Sequence, residues 1–327
     1  MLSARRLIPF TALTIVLAIA ALLHLAFGAR ALEWRVVWDA VLSPDYANPL
    51  HNIVLDMRMP RLFSALIVGG ALGLAGILLQ GLTENPLADP GLLGINSGAA
   101  FFVVGGLLLV PDMTLAMIPL LAFSGAVVAT SFVLLNAGVE QHRARLILSG
   151  VVISALFSAL TSTILLMDQQ GLDTLRRWLV GSLAFETSEA RWHTLPLLIL
   201  ACGIAVFNIP SLNLYRLGSH KASLLGLNIG RFRLSILLST VLLSASSVAI
   251  AGPIGFVGLV APHVGRLLFG NDHRTLIVAA PLLGALMVVI GDTVARVVVR
   301  PLELNTGIVT ALVGAPVFIA LVLRRLK

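Results

Sequence analysis

Long apolar stretches without a charged residue recur along the whole of this sequence. Reading between charged residues gives nine of them, at 7–23, 62–83, 90–111, 113–139, 146–167, 194–215, 234–262, 276–291 and 304–323. A helix needs about 20 mostly apolar residues to cross a bilayer, and only helices and closed barrels satisfy their backbone groups there. The runs therefore predict an all-α, polytopic integral membrane protein.

The seventh run, 234–262, is too long for one crossing, and Gly252-Pro253 interrupts it. Proline removes a helical hydrogen bond and clashes with the preceding turn, so we divide the run into 234–251 and 254–269. This gives ten transmembrane helices. An even number agrees with basic residues at both ends of the chain, which the positive-inside rule places in the cytoplasm: Arg5, Arg6, Arg324, Arg325 and Lys327.

Loop charges support the same orientation. With ten helices, the inner segments hold 13 of the 22 basic residues and four of the 15 acidic ones, a net charge of +9 inside and −2 outside. The first run follows Arg5-Arg6 and resembles a cleavable signal peptide, but it is longer than the usual apolar region of such a peptide. We therefore expect one transmembrane domain covering residues 1–327.

Composition excludes several classes of protein. The chain is 58% apolar and 11% charged, whereas soluble domains carry roughly 25% charged residues. Its net charge of +7 comes from residues flanking apolar runs, so we expect membrane lipid around it and no nucleic-acid partner. The single cysteine, Cys202, lies inside an apolar run and predicts neither a disulfide nor a metal site.

Two segments between apolar runs have unusual composition. The hairpin 85–91 contains two prolines in five residues, which fits either a tight turn or a constriction at the cytoplasmic mouth of a pathway. The inner loop 216–227 is basic but carries apolar Leu217, Ala222, Leu224 and Leu225, which favours docking of a soluble partner over a solvated loop.

Small and charged residues inside the runs suggest further contacts. Gly69, Gly73 and Gly76 share one helix face, which predicts close helix packing. Asp292 and Arg296 are four residues apart and fit either a structural ion pair or a docking or pathway site at the outer face.

Signals of catalysis are absent from the sequence. It has no Gly-x-x-x-x-Gly-Lys-Ser/Thr loop and no His-Glu-x-x-His motif, so we predict no catalytic residue, no resident cofactor and no metal site. A proton-coupled secondary transporter would need a titratable relay, for which Asp292 is the one candidate. A polytopic membrane enzyme would need a catalytic constellation, and the sequence offers none.

Five blocks of the sequence together resemble the FecCD-type permease family: 53–80, 85–94, 252–263, 272–274 and 305–318. These permeases are the transmembrane subunits of type II ABC importers for ferric siderophores, haem and cobalamin. The resemblance implies a ten-helix subunit of the cytoplasmic (inner) membrane and a second permease subunit, identical or paralogous. It also implies two ATPase subunits that hold ATP and Mg²⁺, and a substrate-binding protein on the outer face.

Roles for individual residues follow from the resemblance. It implies that Asn85 and Leu87 form a cytoplasmic gate. It places ATPase coupling on Leu217, Gly218, Ala222, Leu225 and Gly226. Arg58, Arg61 and Arg296 match outer-face arginines that pair with acids of the binding protein.

The cargo is expected to be a ferric siderophore, because 53–56, 69–76 and 88–94 look most like ferric-enterobactin-type permeases. Iron would then pass as a chelate. Haem and cobalamin are the alternatives. The cobalamin importer often has small hydroxyl residues before Arg145, where this chain has His142-Arg143-Ala144, and the difference argues against cobalamin and against a second gate there.

Overall fold

The fold consists of helices joined by short segments. The computed structural model describes residues 4–110, 114–137, 143–167, 178–185 and 187–325, and these ranges contain no β-strand. The helices are α1 Ala4–Ala26, α2 Trp34–Leu42, α3 Pro49–Asn52, α4 Met59–Thr83, α5 Ile95–Leu109, α6 Ile118–Ala137, α7 Arg143–Met167, α8 Ser188–Phe207, α9 Ile209–Tyr215, α10 Ser219–Leu224, α11 Ile229–Ala251, α12 Val257–Phe269, α13 His273–Val297 and α14 Thr306–Arg325. The predicted all-α class is confirmed.

Each of the ten predicted spans overlaps at least one helix, and the sixth overlaps two. Within the described ranges, seven helices are long and apolar enough to cross a membrane, and three shorter apolar helices are Ile95–Leu109, Val257–Phe269 and Thr306–Ala320. The chain is therefore a multi-pass membrane protein. The loop 138–142 and the segment 168–177 lie outside the described residues.

The break in the seventh run occurs where the sequence predicts it. α11 ends at Ala251, and Gly252 caps it. The φ of Gly252 is +68°, a conformation that favours glycine, and Pro253 follows. α12 begins after Phe256, which also has a positive φ of 68°. The two halves of the run are thus separate helices.

Two helix boundaries predicted from charge alone are wrong. The second helical segment begins at Pro49 rather than at residue 62, because the Asn48 side chain accepts a hydrogen bond from the Leu50 N–H and starts the helix. A π-helical stretch, Ile53–Arg58, then continues into α4. The sixth predicted span, 194–215, is divided into two helices at Asn208. Pro210 lies in the first turn of α9, a position where proline is favoured.

α4 lies at the centre of the bundle and is buried along most of its length against α11, α12 and α13. A β-carbon on Gly73 would lie 2.3 Å from the Ala280 carbonyl oxygen, and one on Gly69 would lie 2.3 Å from that of Gly284. Glycine therefore lets the α4 and α13 backbones touch, which confirms the predicted packing role. This contact holds the middle of α4 against α13, and the candidate sites lie at the two ends of α4.

Candidate functional site

The two ends of the bundle carry different polar groups. We call the end with Arg61 and Asp292 the arginine end, and the end with the hairpin 84–94 and helix α10 the hairpin end.

A fully buried carboxylate, Asp292, organises the arginine end. Arg61 binds it with two nitrogens, Nε to Oδ2 at 2.8 Å and Nη2 to Oδ1 at 2.9 Å. The Thr306 hydroxyl donates to Oδ1 at 2.6 Å, and His24 Nε2 lies 3.0 Å from Oδ2. Arg296 Nε is 3.2 Å from the same oxygen. Asp292 thus joins α1, α4, α13 and α14 through charge-assisted hydrogen bonds.

Arg58 and Arg296 close the C-terminal end of α1. The Arg58 guanidinium donates to three backbone carbonyl oxygens at 2.5–2.8 Å, those of Leu25, Ala26 and Arg30. Arg296 Nη2 donates to the His24 carbonyl oxygen at 3.0 Å. The last carbonyls of a helix lack partners within it, so the two arginines supply the missing donors. Both side chains are consequently buried, with 5% and 3% of their surface exposed.

Arg61 differs from the other two arginines because it reaches a partly exposed group. Its Nη1 donates to Glu303 Oε2 at 2.8 Å, and the Glu303 side chain is 34% exposed. The sequence predicted all three arginines as outer-face contacts, and the structure places only Arg61 beside an accessible charge. His24 and Thr306 were missed, because residues so distant in sequence from Asp292 leave no local signal of the contact.

The hairpin at the other end holds its own shape. The Asn85 side-chain oxygen accepts a hydrogen bond from the Leu87 N–H at 3.0 Å, and the Asn85 carbonyl accepts one from the Ala88 N–H at 3.1 Å. Asp89 Oδ1 accepts from the Gly91 N–H at 2.8 Å. Burial raises the pKa of the Asp89 carboxyl, and the Gly91 hydrogen bond lowers it in part. These bonds are typical of Asx turns and give a stiff backbone.

Gln80 clamps the hairpin to α12. This side chain is 3% exposed, and its Nε2 lies within hydrogen-bond distance of the carbonyl oxygens of Ala88, Gly258 and Leu259, at 3.1–3.3 Å. Its Oε1 accepts a hydrogen bond from Arg266. The sequence analysis missed Gln80, although a lone glutamine within an apolar span must find partners. Asn85 and Leu87, the predicted gate, are therefore carried by a clamped hairpin.

The predicted coupling segment, 217–227, presents leucines at the hairpin end. Leu217, Leu224 and Leu225 are exposed, with Leu225 at 63%, whereas Ala222 is buried. Gly218 and Gly226 flank α10 with φ values of +98° and +89°, which side-chain-bearing residues rarely adopt. Of the residues named from the sequence, Leu217 and Leu225 face outward, Ala222 seats the helix, and the two glycines shape its ends.

Hydrogen bonds tie the segment before α10 to the start of α13. Asn213 Nδ2 donates to Asp272 Oδ1 at 3.0 Å, and Asn213 Oδ1 accepts from the His273 N–H at 3.0 Å. Arg216 Nη1 donates to the Asn271 carbonyl oxygen at 2.5 Å. α9 and the residue that follows it are therefore joined to the start of α13.

A polar cavity lies between the coupling segment and the hairpin. It measures about 260 Å³, and its lining includes Gln80, Glu84, Pro86, Arg216, Arg266 and His273. The buried His273 side chain lines the cavity together with the cationic Arg216 and Arg266. The cavity thus brings the clamp, the hairpin and the coupling segment into one region.

Among the described residues, no group of three or more His, Cys, Asp or Glu side chains could hold a metal ion.

The fold and the site are those of a multi-pass helical membrane protein with a clamped hairpin at one end and an exposed leucine segment beside it. The FecCD transport family model matches residues 16–324, and the chain belongs to that family.

Curated relatives match along nearly the whole length. The ferric enterobactin transport system permease protein FepD of Escherichia coli is 40% identical, with 98% of this chain and 97% of the relative covered. The Fe(3+) dicitrate transport system permease protein FecD of the same species is 39% identical (95% and 97% covered). The hemin transport system permease protein HmuU of Yersinia pestis is 38% identical (96% and 94% covered).

A solved structure shares the fold. It is described as an inward-facing conformation of a metal-chelate type ABC transporter and is 31% identical to this chain. The superposition has a TM-score of 0.82 and covers 95% of this chain and 97% of the other.

Proposed function

We propose that this chain is the permease subunit of a binding-protein-dependent ABC importer that moves a ferric siderophore across the cytoplasmic membrane. The observation that carries the proposal is the hairpin end. There a stiff, clamped hairpin lies across a polar cavity from a segment of exposed leucines. That arrangement suits a gate worked by a soluble partner, and relatives named as iron-chelate permeases share the whole chain length.

Topology in this proposal follows the charges. All ten apolar helices cross the membrane within a single permease domain, 1–327, and both termini lie in the cytoplasm. The hairpin end then faces the cytoplasm, because it carries Arg216, Lys221 and Arg266. The arginine end faces outward.

Asn85 and Leu87 form the gate in the proposed mechanism. Both are half-buried at the tip of the hairpin, and the clamp formed by Gln80 holds their backbone in place. A gate must aim its side chains, and a stiff turn does so with little loss of conformational entropy. A second permease subunit, identical or paralogous, would supply the facing hairpin.

In this proposal an ATPase subunit docks on the coupling segment of each of the two permease subunits. The exposed Leu217 and Leu225 give an apolar contact, and Gly218 and Gly226 set the angle of α10. ATP and Mg²⁺ are bound by the ATPase. Its movement would pass from α10 through Asn213 and Arg216 to α13 and the polar cavity.

The substrate-binding protein docks at the arginine end. Arg61 is the proposed direct contact, since it already pairs with the accessible Glu303, and Arg58 and Arg296 hold α1 in the frame around it. Arg61→Lys keeps a cation beside Asp292 but loses the planar fork, so it should weaken capture of the loaded binding protein at low salt, with Arg35→Lys as the exposed-arginine control. Equal capture by both variants would rule out this role.

The proposed cargo is inferred from three short sequence blocks and not from the overall sequence identity to the relatives. Relatives named for enterobactin, dicitrate and hemin are 40%, 39% and 38% identical, so identity does not separate their substrates. We favour a ferric siderophore because of blocks 53–56, 69–76 and 88–94. Haem is the second candidate, on the strength of the hemin permease relative.

Transport in proteoliposomes tests the function. The chain, reconstituted with its ATPase and binding protein, should take up one member of a panel of labelled ferric siderophores, haem and cobalamin. Uptake should require hydrolysable ATP. A proton gradient that drives uptake without ATP would instead support a secondary transporter, and preferential uptake of haem would replace the siderophore.

A further inference from the structure

An open groove runs along α8 and α9 and the start of α11. It measures about 580 Å³, and its apolar lining includes Leu200, Ile204, Phe207, Leu227 and Phe232. The α8 members recur at helical spacing, so they form one continuous stripe. The surface beside the groove is also apolar and exposed, with Phe207 at 84% and Val206 at 57%. The groove is thus a recess in the apolar flank of the bundle.

Most polar groups along the groove are already satisfied. The Ser235 hydroxyl lies within hydrogen-bond distance of two acceptors, Asn208 Oδ1 at 3.1 Å and the Phe232 carbonyl oxygen at 2.8 Å. Asn208 Nδ2 donates to the Ile204 carbonyl oxygen, and Asn228 Oδ1 accepts from the Arg231 N–H. These side chains already have hydrogen-bond partners within the protein, so an acyl chain can lie on the floor of the groove without displacing a ligand hydrogen bond.

Arg231 is the exception at the hairpin end of the groove. Its side chain is exposed, and no hydrogen bond or ion pair joins its guanidinium to the residues that the structure describes. The Ser211 hydroxyl lines the same groove and likewise has no partner within the described ranges. An apolar groove with one unpaired cation and one hydroxyl at its end matches a molecule with an acyl chain and an anionic head.

We propose that this groove binds an anionic phospholipid of the cytoplasmic leaflet. The acyl chain lies along the α8 stripe, and the phosphate meets Arg231 and Ser211. Basic pockets between transmembrane helices on the cytoplasmic side are suited to such headgroups. The placement in that leaflet rests on the topology proposed above.

A second copy of the chain fits the groove less well. A two-fold interface centred there would bring two copies of Arg231 together, and their like charges would repel.

Leu227, the last residue of the coupling segment, lines the groove, and its N–H donates to the Ala222 carbonyl oxygen at 3.0 Å. The bound lipid would therefore touch the end of the coupling segment.

The groove offers a way to block the site without disturbing the protein core. A β-carbon on Gly203 would meet nothing within 4 Å, since it would point into the open groove. Gly203→Phe should therefore fill the space that the acyl chain needs. Arg231→Ala removes the charge. Arg274→Ala is the matched control, because Arg274 is also an exposed arginine at the hairpin end but lies outside the groove.

Native mass spectrometry of the purified full-length chain provides the readout. The protein is extracted from vesicles of phosphatidylethanolamine and phosphatidylglycerol in equal parts, and retained lipid is identified. The unaltered chain and Arg274→Ala should retain phosphatidylglycerol. Arg231→Ala should reduce its retention about fivefold, the order expected for one basic residue near an anionic surface. Gly203→Phe should reduce retention of both lipids.

Each outcome decides the proposal separately from transport. Equal phosphatidylglycerol retention in Arg231→Ala and Arg274→Ala would overturn it, as would unchanged retention in Gly203→Phe. With Cys202→Ser removing the native thiol, disulfide formation between two chains through Phe207→Cys would show a second copy in the groove and would also overturn the proposal. Because lipid retention needs no substrate, ATPase or uptake, a failure to import siderophores would leave this result standing.

Discussion

Single residues at the arginine end show how a buried charge is tolerated in a membrane protein. Asp292 is fully buried, yet it receives hydrogen bonds from Arg61 and Thr306 and lies against His24 and Arg296. An unpaired ion there would be very costly, so the partners are a condition of folding. The same pairing holds the arginines away from solvent.

Removal of this carboxylate should therefore be severe. Asp292→Ala leaves Arg61 and Arg296 without their shared anion, and truncating one member of a buried ion pair costs about 3–5 kcal/mol. Thermal unfolding of the purified protein in detergent measures the loss. Asp39→Ala is the control, because Asp39 is exposed and its pair with Arg35 spans 3.9 Å, which contributes about 0–1 kcal/mol. Equal stability of the two variants would contradict the role assigned to Asp292.

At the scale of elements, packing depends on where a backbone must approach another. α4 and α13 touch through Gly69, Gly73 and Gly284, and α4 touches α12 where a β-carbon on Gly76 would lie 1.9 Å from the Gly258 carbonyl oxygen. The sequence predicted this small-residue face, but periodicity does not identify the facing helix. The short helix α10 depends instead on glycines at its two ends.

Alanine should change the stability of the protein differently at two glycines of α4 that are three residues apart. At Gly73 a β-carbon would lie 2.3 Å from a backbone oxygen, so Gly73→Ala should destabilise the protein by about 1–3 kcal/mol. At Gly70 the nearest atom would be 3.8 Å away, so Gly70→Ala should be neutral or stabilise by up to about 1 kcal/mol. Thermal unfolding of both variants checks the contrast. Similar shifts for the two would mean that the α4–α13 approach is looser than described.

The exposed leucines of the coupling segment give a second element-scale prediction. Leu225→Asp should abolish ATPase association in pull-downs, because it places a charge in the apolar contact. Leu42→Asp introduces the same charge at an exposed leucine of α2, near the arginine end, and should leave association intact. Membrane insertion of both variants is checked by their yield after solubilisation. Loss of association in both, or in neither, would remove α10 from the interface.

At the scale of the whole molecule, long helices connect the arginine end, the proposed docking site of the binding protein, to the hairpin end, the proposed gate. α13 begins beside Asn213 and Asp272 and ends at Asp292 and Arg296, so a shift at one end moves groups at the other. α4 lies beside α13 and runs in the opposite direction, from Arg61 at the arginine end to Gln80 at the hairpin end. These two helices are the routes by which the proposed docking and gating ends would be coupled.

The proposed gate makes a prediction about the dimer. With Cys202→Ser removing the native thiol, Asn85→Cys or Leu87→Cys should form a disulfide between two permease subunits in the resting state. Such a bond needs α-carbons about 4.4–6.8 Å apart. Leu42→Cys, near the other end of the molecule, is the control. If the hairpin cysteines fail to cross-link in every nucleotide state, the constriction is elsewhere.

The number of membrane crossings also belongs to the whole molecule. The proposed ten crossings would place both termini in the cytoplasm, so reporter fusions at Arg6 and Lys327 should both report a cytoplasmic location. A sandwich fusion within 44–48, between α2 and α3, should report the outside. Opposite locations for the two termini would mean an odd number of crossings.

The sequence alone determined the class, the apolar helices and the break at Gly252-Pro253, because burial in lipid and the geometry of proline act locally. It also indicated the hairpin and the leucines beside α10, since both depend on residues close in the chain. Only the tertiary structure decided which groups meet. His24 joins Asp292, Gln80 reaches Gly258, and Arg58 caps α1, because helix packing brings together residues that no local pattern connects.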